Sequence, residues 1–165
     1  MSMEIKRTVN GLAALTLAAA AMVAVPVYAH HSFSIFDASV TKTFTGVVTR
    51  VNPDANHLQI FFAPMNDERK NVERSADGKP IVWAVEMTGS AQAAKDGISV
   101  SSFPAGTIFT VSLHPLRSGE PAGAREGALY QCPAKTPPAA GKHCDSVDGH
   151  IKIGGDDGVP RVTQN

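Results

Sequence analysis

Apolar residues fall on every second position in Ile81-Val82-Trp83-Ala84-Val85-Glu86-Met87, and again where Phe109, Val111 and Leu113 alternate with Thr110, Ser112 and His114. An extended chain puts alternate side chains on one face, so this period of two commits both runs to strands with one buried side. Thr43 to Val51 is rich in β-branched residues and carries Gly46, which suggests a strand that bends or bulges. Asn52-Pro53-Asp54 supplies turn chemistry, and His57 to Phe62 reads as the antiparallel partner of a hairpin. The polar interval from Asn66 to Lys79 reads as a plain solvated loop.

Between Gly89 and Gly97, Ser90 to Asp96 is built from helix formers and is long enough for about two turns. Thr107 to His114 is the fourth strand, with His114 on its polar face. Further strands are expected at Glu126 to Gln131 and His150 to Ile153. Three strands, a short helix and two strands is the element order of a small OB-like five-stranded barrel. A small β-sandwich is the alternative that the same short strands allow. Trp83 is expected in the core, and Glu86 is expected to be exposed and unpartnered.

Upstream of these strands lie Lys6 and Arg7, an uncharged apolar run from Gly11 to Val25, then Pro26 and the small residues Val27 and Ala29. That order is the signature of an export signal cleaved after Ala29. The run is shorter than the roughly 20 residues of a membrane span, so no stable membrane insertion is expected after cleavage. The expected organisation is a signal peptide over 1–29, a β domain over 30–153 and a flexible tail over 154–165, in the periplasm or outside the cell. The 136 residues beyond Ala29 carry 13 basic and 14 acidic side chains. With no cationic excess to neutralise phosphates, nucleic acid is not an expected partner.

Cys132 and Cys144 are the two cysteines of the chain. An even count in an exported protein points to a disulfide, expected here as a surface staple. The adjacent His143-Cys144 pair does not fit the spacing of a closed metal site.

Three local patterns, Ala29-His30-His31-Ser32-Phe33, Thr45-Gly46-Val47-Val48 and Trp83-Ala84-Val85-Glu86, resemble those of a family of uncharacterised exported bacterial proteins with a domain of unknown function. The resemblance covers roughly His30 to Leu129. That family tends to show Asn-Pro-His where this chain has Asn52-Pro53-Asp54, with His57 three positions later. The resemblance implies a secreted OB-like domain and supplies no activity.

Cleavage after Ala29 would make His30 the first residue, joining an α-amine to an imidazole in one chelate. Copper(II) favours nitrogen donors in square-planar geometry and tops the divalent affinity order. His114 or His57, each near a strand end, could complete the plane. His31 offers a second mode through the amine, the intervening amide and its own ring, and Asp37 could orient a liganding ring. His143 and His150 read as loop residues. No Gly-x-Ser-x-Gly elbow, His-Glu-x-x-His helix or phosphate loop occurs. The leading expectation is therefore a periplasmic copper-binding protein, more a binder than an enzyme. The alternatives are a non-catalytic module for a small ligand or a protein, and a copper-dependent oxidoreductase.

Overall fold

The computed structural model describes residues 33–53, 57–134 and 136–155. The expected signal peptide, His30, His31 and most of the expected tail lie outside those residues. The main body begins at Ser34. No described helix is long and apolar enough to cross a membrane.

Six strands form one sheet: β1 (Lys42–Asn52), β2 (His57–Pro64), β3 (Trp83–Gly89), β4 (Ile108–Pro115), β5 (Ala122–Gln131) and β6 (Ile151–Ile153). Their order is β3-β2-β1-β4-β5-β6, and a parallel pairing of β3 with β5 joins the two sides. Hydrogen bonds thus run as a ring through five strands, with β6 added outside it on β5. Among the described residues one short α-helix, α1 (Ser90–Lys95), falls between β3 and β4, in the order expected for an OB-like domain. One joined sheet stands where the sandwich alternative required two.

Alternation fixes the buried side. Ile60 and Phe62 from β2, Val85 and Met87 from β3, and Phe109, Val111 and Leu113 from β4 meet Ala93 of α1 and Phe103 in one apolar cluster. Trp83 is half-buried at its edge, 4.7 Å from the Phe44 ring with the Lys42 ammonium over its face. The irregularity expected at Gly46 falls instead between Val48 and Arg50. Gly46 has a different reason to be glycine: a Cβ there would stand 2.6 Å from Phe62 Cδ2 and 2.8 Å from the Ala63 carbonyl oxygen.

The cysteine segment is not a surface staple. Cys132 and Cys144 are joined at 2.05 Å and are both buried, packed with Ala128, Tyr130, Ile108 and Val147 in a second apolar cluster. Ile108, Ala128 and Tyr130 alternate with the residues of the main core along β4 and β5, so this cluster lies on the opposite face of the sheet. The disulfide folds the chain after β5 back over a face that would otherwise be solvated.

Candidate functional site

On β4 the alternation that buries Phe109, Val111 and Leu113 sends Thr110, Ser112 and His114 to the other face. β1 lies antiparallel alongside, with Thr45 opposite Thr110 and Thr43 opposite Ser112. Each pair joins its hydroxyls, at 2.7 Å and 2.8 Å. Polar groups on a covered face need such partners, and the result is a ladder of hydroxyl pairs between the strands.

His114 stands at one end of the ladder. Its Nδ1 is 2.9 Å from the Val40 carbonyl oxygen. A carbonyl only accepts, so Nδ1 carries the proton and Nε2 presents either a lone pair or, in the imidazolium, a second N–H. Glu126 Oε2 stands 3.7 Å from that Nε2 and accepts a hydrogen bond from Thr41 Oγ1 at 2.7 Å. An imidazole oriented through one nitrogen, with a held carboxylate near the other, is an arrangement in which liganding rings are commonly found. The orienting acceptor is thus Val40, not Asp37. The Asp37 carboxylate is taken up by the Ser39 hydroxyl and amide, and these bonds, the hydroxyl first, hold it below the usual carboxylate range.

At the other end, His143 Nδ1 is 2.8 Å from Thr45 Oγ1, and the Cys144 amide donates to Thr110 Oγ1 at 2.9 Å. These bonds tie the disulfide segment to the ladder. Burial pushes His143 below the ordinary imidazole value, with the Arg69 charge adding to the effect and Asp145 opposing it. Arg69 corrects the expectation of a plain loop. It is 8% exposed, and its guanidinium donates to the carbonyls of Lys142, Met65 and Asn66. Its left-handed backbone, φ 58°, is held by that anchoring and by Asn66, whose side chain accepts from the amides of Lys70 and Asn71.

His57 pairs with a different carboxylate, its Nδ1 2.7 Å from Glu86 Oε1. Glu86 is therefore neither fully exposed nor unpartnered. The registers place Lys42 opposite Leu113 and Asn52 opposite Gln59, so His114 and His57 lie past opposite ends of β1. Eleven strand residues separate the two levels by roughly 30 Å at the usual rise. They cannot share one ion. Among the described residues, no three metal-ligating side chains converge. His150 is a loop residue as expected, bonded to the Val147 carbonyl and packed on Tyr130.

Sequence reasoning missed Glu126, Thr41 and Arg69. Glu126 reaches His114 because the β4–β5 register shifts between Thr110 and Ser112, and no local residue pattern signals that shift. Glu86 was within reach, since the period of two puts it and His57 on the same outer face of a β2–β3 pair.

Compared with known proteins, the chain matches no curated protein and no solved structure. A family match spans residues 18–125, taking in His57, Glu86 and His114 and stopping one residue before Glu126, with the disulfide beyond it. By that span, which covers more than half of its length, the chain belongs to DUF6152, a family of unknown function.

Proposed function

We propose that this is an exported protein which, cleaved after Ala29, binds one copper(II) ion through the amine and ring of His30 with His114 as a further nitrogen donor. The observation that carries the reading is the His114 ring, whose Nδ1 is committed to the Val40 carbonyl while Nε2 is left toward Glu126. That is how liganding imidazoles are commonly oriented.

The path of the chain favours His114 over His57 in this reading. The Asp37 amide donates to the Pro115 carbonyl at 2.8 Å, the Arg117 amide to Ile35 at 2.9 Å, and Arg117 Nε to Ser34 at 3.1 Å. Ser34 is thereby tied three residues past His114, and four residues of chain carry His30 at most about 14 Å from Ser34. His57 lies far beyond that span. A disulfide is in keeping with an oxidising compartment.

Copper titration of the mature chain tests this against its own variants. His114→Ala should weaken binding at least about tenfold by removing one imidazole donor, whereas His57→Ala and His143→Ala leave it unchanged. Equal weakening by all three substitutions means nonspecific surface coordination and ends the proposal.

A second reading has one observation in its favour. A cleft of about 460 Å³ opens between Pro53 and Leu58 on one side and Ala94, Ile98 and Val100 on the other. Apolar clefts of that size suit small ligands, and binding of an apolar ligand there without copper dependence would favour the module reading.

A further inference from the structure

The outer face of β1, β2 and β3 carries polar groups that the copper reading leaves unused. Between the pairs Val48–Phe62 and Arg50–Phe61, β1 has one residue more than β2, so the strand bulges at Thr49. Strict alternation after the exposed Thr49 would turn Arg50 inward. The bulge instead leaves Thr49 and Arg50 both exposed and returns Val51 to the edge of the core. Bulges re-aim side chains in this way and are frequent beside functional sites.

Arg50 is thereby laid over Phe61, with its guanidinium carbon 3.4 Å from the ring centroid. Stacking on a ring holds the planar N–H fork in place before any ligand arrives. Gln59 is the next outward side chain of β2, and Glu86 of β3 lies beside it in register. Among the described residues, neither the Arg50 guanidinium nor the Gln59 side-chain amide has a hydrogen bond or an ion pair. Glu86 spends Oε1 on His57 Nδ1, 2.7 Å away, which leaves Oε2 as an acceptor on the same face.

We infer that this face is a ligand site for a hydroxylated monocarboxylate, such as a sugar acid, with the carboxylate on Arg50 and a hydroxyl on Gln59 and Glu86. A guanidinium fork matches a carboxylate with two parallel hydrogen bonds. One guanidinium set near the Glu86 carboxylate suits a single negative charge better than a phosphate dianion. Glu86 only accepts, while Gln59 both accepts and donates, and together they complement hydroxyl groups. Two strand residues separate the Arg50 and Gln59 levels by about 7 Å, comparable to the reach of one sugar ring with its carboxylate.

Titration of the full chain with sodium glucuronate in the absence of copper, followed by amide NMR shifts, tests the site. Glucuronate should shift Gln59, Phe61 and Glu86 saturably, with a dissociation constant of about 1 mM. Glucose lacks the carboxylate and acetate lacks the hydroxyls, so each should bind at least about tenfold more weakly. Arg50→Lys keeps the charge but removes the fork, and should also lose at least about tenfold. An absence of saturable shifts, or binding of glucose, acetate or inorganic phosphate as tightly as glucuronate, overturns the assignment. So does an Arg50→Lys variant that binds as the parent does, because a point charge alone would then account for the binding. The comparison of ligands on the unsubstituted chain decides even where the variant does not fold.

Discussion

Gly46 shows how one residue can be fixed by packing alone. Its absent Cβ leaves space for both the Phe62 ring and the Ala63 carbonyl, and backbone cannot swing aside as a side chain can. Gly46→Ala should therefore cost about 1–3 kcal/mol, as overpacking does, read as a fall in the urea midpoint with an unchanged slope. His143 is fixed by hydrogen bonding and titrates to its disadvantage. Burial lowers its folded pKa below the free value of 6.5. As pH falls below 6.5 the unfolded chain takes up a proton that the folded one still refuses, so stability declines until the folded value is passed. Above pH 6.5 this contribution is flat. His143→Gln should remove that component of the slope from a series of melts between pH 7.5 and 5, and a slope identical to the parent would contradict the assignment. Neither role was legible in the sequence: Gly46 read as a bulge, because closeness across a strand pair leaves no local mark, and His143 read as a loop residue, because its partner Thr45 is 98 positions away.

The elements themselves were more legible. The period of two located β3 and β4, β-branched composition located β1 and turn chemistry located β2; the core residues of β4 were the ones expected, because a half-buried strand writes its burial directly into alternation. β5 was read short, from Glu126 instead of Ala122, since Ala122-Gly123-Ala124 has no strand-like composition. Those small residues form the parallel pairing with β3. At Gly123 a Cβ would stand 2.5 Å from the His114 carbonyl, a contact that composition does not announce. The disulfide element was found but misjudged. As a buried pair that holds a second apolar cluster on the outer face, its replacement by two serines should cost more than the roughly 3 kcal/mol of loop entropy alone. The cavity and the two buried hydroxyls add to that loss. Thermal melts of the double Ser variant measure it, and a shift of only a degree or two would return the pair to the role of a surface staple.

At the scale of the whole molecule, the ring of five strands distributes the histidines more than it gathers them. His57 and His114 look equivalent in the sequence, each near a strand end, yet antiparallel pairing sends them past opposite ends of β1. Hydrogen bonds of the described residues place Ser34 to Asp37 alongside Pro115 to Arg117. The copper site proposed at His114 would take its other nitrogen donors from His30, so it depends on cleavage after Ala29. The most direct measurement is the copper(II) electron paramagnetic resonance spectrum, with affinity by competition, of two otherwise identical proteins. One begins at His30 and the other carries a single added residue before it. The account predicts a tight equimolar complex with several nitrogen donors in the first, and a loss of at least about a hundredfold in affinity, with a changed spectrum, in the second, because the amine and ring no longer close one chelate. Equal affinity and the same spectrum in both proteins would contradict it.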